Sequence, residues 1–341
     1  MFKQSLTHQW LHLFAATGFL VLAVPAITDL PGSRLLAETL VSQDLEAASF
    51  FQMGVTRYNR SDFPGAEAAF RRALLRDPNI GDARNYLGNI FMLQNRLDVA
   101  VQEYGEAVRL NPNSAESYYN LGLVLQKQGQ KEAAITAYRQ SLVINPMMAA
   151  AHYNLGLALY EQGLPQEAIA AYQQAIKFDS SNSNAYYNLA IALQKEGQVE
   201  QAITAYRQVV NLEPQNNAAY NNLGSLMVIQ GQTAQAIGVY EQAIRQNPRN
   251  VSAIYNLGVS LYNQGNLKQA HRAFKRAGQV YREQGNNEQA EKVEQMVQQI
   301  AQYLKPKKPE VNQTATSSPT ANPVIITPVT TETPSSTPES K

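Results

Sequence analysis

Few residues in this chain have the types and spacing that chemistry needs. Its four histidines are His8 and His12 near the start, then His152 and His271, far apart. His8 and His12 stand four apart, as metal ligands on one helix face do, but within an apolar leader that spacing reads as chance. The absence of cysteine removes thiol nucleophiles, thiolate metal sites and disulfides, and it leaves the compartment open. No phosphate-cradling glycine loop, dinucleotide fingerprint or nucleophile elbow occurs. Carboxylates sit beside lysines, as solvated charge on helix faces does. The chain therefore reads as no enzyme, with no cofactor and no metal. A formal net charge of +1 gives no basic field for nucleic acid. What the sequence does repeat is amide and phenol. Asn120, Asn154, Asn188, Asn222 and Asn256 follow one another at a fixed interval, and Tyr119, Tyr153, Tyr187 and Tyr255 immediately precede four of them. An amide offers both donor and acceptor, so a row of amides can pair with the backbone of an extended peptide.

The elements that would position such a row are set by a period of 34 residues. Seven consecutive repeats cover 47–80, 81–114, 115–148, 149–182, 183–216, 217–250 and 251–284 without an insertion. Place 8 of each repeat is small: Gly54, Gly88, Gly122, Gly156, Ala190, Gly224 and Gly258. Place 20 is always alanine, from Ala66 to Ala270, and small residues at both places let two antiparallel helices approach closely. Place 24 is aromatic, from Phe70 through Tyr104, Tyr138, Tyr172, Tyr206 and Tyr240 to Phe274, and it is expected to fill the space between one repeat and the next. Gly129, Gly163, Gly197, Gly231 and Gly265 stand where a helix end wants a left-handed residue. Proline at place 32 ends the second helix. Each repeat is thus a helical hairpin that buries its apolar face only by stacking on its neighbours.

This pattern resembles the tetratricopeptide repeat. The resemblance implies an all-α chain, a right-handed α-solenoid in which antiparallel helix pairs form a superhelix that binds peptides or proteins on its concave face. Four departures bear on local packing: Ser180 replaces a proline, and Arg84, His152 and Ile254 replace the aromatic at place 4. After the last repeat, helices are expected over about 267–284 and 288–304, the second a cap carrying Ala290, Val293, Met296, Val297, Ile300 and Leu304 at helical spacing.

In the family, places 2, 5, 6, 9, 12 and 13 line the groove. That assignment implies a peptide-binding stripe that pairs Tyr119 with Leu123, Tyr153 with Leu157 and Tyr187 with Ile191, adds Tyr160 and Tyr255, and is flanked by the five asparagines. Such a stripe is expected to be exposed unless a partner covers it. Asn at place 6 has two readings. It either pairs with the peptide, so that replacing Asn154 and Asn188 hardly alters stability, or it bonds within the repeat. A carboxylate clamp of the chaperone-binding kind is not expected, because place 2 carries no cation.

The two ends differ from the middle. Residues 4–28 hold no charged side chain, and 13–27 are almost wholly apolar. Residues 1–27 are therefore read as a signal peptide, with Val24 and Ala26 preceding a cleavage, or as an uncleaved anchor approaching the ~20 residues that span a bilayer. Either places the rest outside the cytoplasm, exported or membrane-anchored. Residues 28–46 read as a linker, 285–304 as the capping helix, and 305–341, with seven prolines among Thr and Ser, as a disordered tail. The expected function is an interaction scaffold that holds an extended protein segment, assembly of a membrane complex being one version. The alternative is a self-associating structural protein of the cell envelope.

Overall fold

A computed structural model describes residues 33–305, with side chains from Asp44 onward. The apolar leader and the Pro/Thr-rich tail, and the readings placed on them, lie outside the described residues. Every regular element described is a helix. The first helices of the seven repeats are α1 (Ser33–Asn59), α3 (Gly81–Leu93), α5 (Ala115–Lys127), α7 (Ala149–Glu161), α9 (Ser183–Lys195), α11 (Asn217–Ile229) and α13 (Val251–Asn263). Their partners are α2 (Phe63–Arg76), α4 (Leu97–Leu110), α6 (Lys131–Ile144), α8 (Pro165–Phe178), α10 (Val199–Leu212), α12 (Thr233–Gln246) and α14 (Leu267–Glu283). A last helix, α15 (Asn287–Leu304), follows. The chain divides into two compact units at Ala83/Arg84. In the first, α1 packs on α2. It begins at Ser33, so that much of the stretch read as a linker is helical.

In the second unit the chain is a solenoid of consecutive helix pairs. Gly129, Gly163, Gly197, Gly231 and Gly265 all have φ between 71° and 82°, the left-handed conformation the turn requires. The equivalent residues of repeats one and two are Ser61 (φ 60°) and Asn95 (φ 58°), which adopt it without glycine's freedom. Junctions between repeats are held by short side chains. Asp77, Asn111, Asn145, Asp179 and Asn247 each accept a hydrogen bond from the backbone N–H two residues on. Asp179 also accepts from the Ser181 hydroxyl at 2.6 Å, which keeps the turn where Ser180 stands in place of proline. Ser114, Asn182, Asn216 and Asn250 then cap α5, α9, α11 and α13.

Neighbouring repeats are also joined at the surface by amide–carboxylate pairs. Gln128 donates to Asp98 and Gln162 to Glu132, both at 2.8 Å. Between α8 and the end of α9 the residue types are exchanged, so that Gln166 donates to Glu196. The array ends on α15, which buries Ala290, Val293 and Ile300. Val293 and Ile300 share one apolar cluster with Ala277 and Val280 of α14. A lengthened second helix and a terminal helix with a polar outer side close the end of the stack.

Candidate functional site

The site is built outward from the contact between the helices of one repeat. A Cβ added at Gly122 would lie 2.5 Å from the Tyr138 ring, and one at Gly156 would lie 2.6 Å from Tyr172. The missing side chain is the seat of the ring. The aromatic at place 24 therefore packs inside its own repeat, and Tyr206 also meets Asn222 of the next one. Where place 5 is also aromatic, that ring rests on the place-24 ring of the same repeat. Centroids are 6.0 Å apart for Tyr119–Tyr138, 6.2 Å for Tyr153–Tyr172, and 5.6 Å for both Tyr187–Tyr206 and Tyr255–Phe274.

The asparagines reach these phenols from the next repeat. Asn154 Nδ2 donates to the Tyr119 hydroxyl at 3.0 Å, Asn188 Nδ2 to Tyr153 at 3.1 Å, and Asn222 Nδ2 to Tyr187 at 3.4 Å. Asn222 donates as well to Tyr206 at 3.2 Å. Asn120 Nδ2 donates to the Oδ1 of Asn85, which holds place 5 in repeat two. Asn256 is wholly buried one repeat beyond Asn221, which stands at place 5 where repeats three, four, five and seven carry a phenol. The row is thus a lattice between successive first helices, in which Asn120, Asn154, Asn188 and Asn222 donate within the fold itself. Among the described residues, Asn154 Oδ1 and Asn221 Oδ1 are buried with no hydrogen-bond partner.

Burial changes the expected stripe as well. Tyr153, Leu157, Tyr187 and Ile191 are buried, with at most 7% of their surface exposed. Tyr119, Leu123, Tyr160 and Tyr255 are half-buried. The reason is geometric. Among the first helices α5 touches α7, α7 touches α9 and α11 touches α13, whereas second helices make no comparable contact with one another. The first-helix layer is therefore the inner, crowded one, and places read as exposed on an isolated helix are covered by the neighbouring repeat. Desolvation raises the Tyr153 hydroxyl to about 12, with Asn188 acting the other way. Tyr138, Tyr172 and Tyr240 are pushed higher, chiefly by burial. Polar residues at the neighbouring places serve these hydroxyls: Tyr138 donates to Gln126 at 2.8 Å and Tyr104 to Asn89 at 2.6 Å.

What the inner layer leaves accessible is narrower than the sequence implied. Leu123 and Tyr119 on α5 and Tyr160 on α7 keep part of their surface. The ammonium of Lys195, from α9, lies 5.0 Å from the centre of the Tyr160 ring. That neighbour was not singled out in the sequence; its signal is a cation at place 13, one repeat after an aromatic at place 12. Tyr255 instead meets the cap, its hydroxyl 4.0 Å from Met296 Sδ of α15. Among the described residues, no three His, Asp or Glu side chains gather where a metal ion would bind. No described helix is long and apolar enough to cross a membrane.

Tetratricopeptide repeat family models match residues 119–183, 159–226 and 251–283, and a TPR repeat model matches 88–129 and 226–265. The matched stretches run together over 88–283. No curated protein matches the chain. Among solved structures, the C-terminal part of a TPR repeat-containing protein from Cytophaga hutchinsonii is 16% identical, with 71% of this chain and 98% of that one covered and a TM-score of 0.61. PilF of Pseudomonas aeruginosa is 22% identical, with 61% and 94% covered and a TM-score of 0.51. The MamA protein is 28% identical, with 50% and 93% covered and a TM-score of 0.46.

Proposed function

Because the chain belongs to the tetratricopeptide repeat family, a family of protein-interaction scaffolds, we propose that it holds an extended segment of another protein along the inner face of repeats three to five. The observation that carries this reading is the Tyr160–Lys195 pair, a half-buried ring under a cation, in the layer where Leu123 and Tyr119 also keep part of their surface. A ring whose face is already ordered offers contact area at little entropic cost, and tyrosine is a favoured anchor at interfaces. The asparagines enter as positioning residues. By fixing the Tyr119, Tyr153 and Tyr187 hydroxyls they hold successive first helices in register, so that the face is formed before the partner arrives. Residues 1–27, read as a signal peptide or an anchor, put this scaffold on the outer side of a membrane, and complex assembly there is the role we assign to it.

The test is capture of partners from membrane and soluble fractions, identified by mass spectrometry, followed by titration of the main partner. Leu123→Ala with Tyr160→Ala is expected to weaken binding at least tenfold, about 1.4 kcal/mol or more, in a variant whose circular dichroism shows it still folded. Unchanged affinity in a folded double variant would remove the inner face from the account.

A further inference from the structure

The seventh repeat departs from its sisters at two places that meet in space. At place 4 the other repeats of the second unit carry a long or aromatic side chain, and three of these meet the second helix of their own repeat. Arg84 donates to Glu103 at 2.9 Å, His152 stacks on Phe178 at 5.6 Å, and Tyr220 is buried beside Arg245. In repeat seven the place falls to Ile254, and a cavity of about 240 Å³ opens there between α12, α13 and α14. Its floor is apolar, formed by Ile244, Ile254, Leu257 and Leu261. The second departure is charge. Places 22 and 26 are Thr136 and Gln140 in repeat three, Thr204 and Gln208 in repeat five, and Gly238 and Gln242 in repeat six; in repeat seven they are Arg272 and Arg276. Both line the cavity, one helical turn apart on α14.

Arg276 is held by its bond to the Pro248 carbonyl at 2.9 Å. Arg272 has no hydrogen bond or ion pair among the described residues. Glu241 stands on the α12 side of the same opening. An anionic group entering the opening is thereby directed to the α14 side, where a guanidinium can grip a carboxylate through two N–H groups. At the place held by Ile254, four sister repeats carry an aromatic ring: Tyr118, His152, Tyr186 and Tyr220.

We propose that this cavity is a second docking site, on the second-helix side of the solenoid, for an aromatic side chain of a partner protein that carries a carboxylate on the adjacent residue. The ring takes the place that Ile254 leaves unfilled, and the carboxylate meets Arg272. The site is separate from the inner face, so the two can fail independently.

Methyl NMR of the full chain, labelled at isoleucine, tests it with the probe acetyl-Asp-Tyr-amide. Ile244 and Ile254 are the reporters. Their signals are expected to move saturably, while isoleucines elsewhere, such as Ile90, stay put. Exchanging the probe for acetyl-Asn-Tyr-amide or acetyl-Asp-Ala-amide should weaken binding at least tenfold, as should Arg272→Glu, an exposed substitution on α14 that leaves the core intact. Ile254→Tyr should fill the niche and abolish the response at Ile244 in a chain that still folds. Four results would overturn the proposal: no movement, equal movement with the alanine probe, undiminished binding in Arg272→Glu, or undiminished binding in folded Ile254→Tyr. So would signals that shift with protein concentration alone, which would give the cavity to a second copy. Signals that change on deleting residues 306–341 would give it to the chain's own segment.

Discussion

Replacing Asn188 by alanine isolates one rung of the Tyr–Asn lattice. The bond from Asn188 Nδ2 to the Tyr153 hydroxyl is 3.1 Å long, and both residues are buried, 3% exposed each. A buried hydrogen bond of this kind contributes about 1 kcal/mol net, and leaving a partner short of it costs about 1–3 kcal/mol. Deleting the amide also opens a small void between α7 and α9, so the expected loss is roughly 2–3 kcal/mol. For a body of this size that corresponds to a fall in melting temperature of about 4–10 °C. Urea denaturation followed by circular dichroism measures it. Because repeat arrays can open repeat by repeat, amide exchange should show protection lost first in α7 and α9. Gln201→Ala, at an exposed place on α10, is the control and should stay within about 0.5 kcal/mol of the parent. If Asn188→Ala is as harmless as that control, the lattice does not hold the first helices together, and the asparagines are free to serve a ligand instead.

Other outcomes follow from the same geometry. Ser61→Gly relieves a left-handed residue at φ 60° and should raise stability by about 1 kcal/mol, read from the urea midpoint. Gly122→Val drives a side chain into Tyr138, whose ring lies 2.5 Å from the would-be Cβ, and should cost about 1–3 kcal/mol in the same assay. Raising the pH should weaken the fold. The Tyr153 hydroxyl titrates near 12 when folded against an ordinary value of 10, so its contribution is complete below pH 10 and is lost as pH climbs toward 12. Tyrosinate absorbance in a pH titration should therefore rise late and together with unfolding, and in Tyr153→Phe that component should disappear.

Much of the fold is legible in the sequence because each helix pair repeats the same solution. Gly129 and its equivalents mark the turns, and the small residue at place 8 faces the ring at place 24. The stretch after Leu267 shows in advance a long helix, a Gly285 turn and a capping helix. The site was less legible, for a physical reason. The groove places come from the family resemblance, which puts Tyr153 and Leu157 on an exposed stripe of the first helix and takes no account of the neighbouring repeat. Their covering comes from the next repeat, through contacts 35 residues apart such as Tyr153 with Asn188. The signal was in the sequence: an amide at place 6 always follows, one repeat and one residue later, a phenol or amide at place 5. The cavity under Arg272 was half legible. Ile254 stood out as a departure, but only the packing shows that Arg272 and Arg276 border the space it leaves.

The central claim is that a partner protein lies along the inner face of repeats three to five. A photo-crosslinking amino acid placed at Leu123 or at Tyr160, with Val143 as the outward control, tests it directly. Val143 sits on the second helix α6 and is 74% exposed, so it is available to any partner that binds the outer surface there. Adducts with the same partner are expected from positions 123 and 160 and none from 143. Adducts from 143 with none from the two inner positions would contradict it.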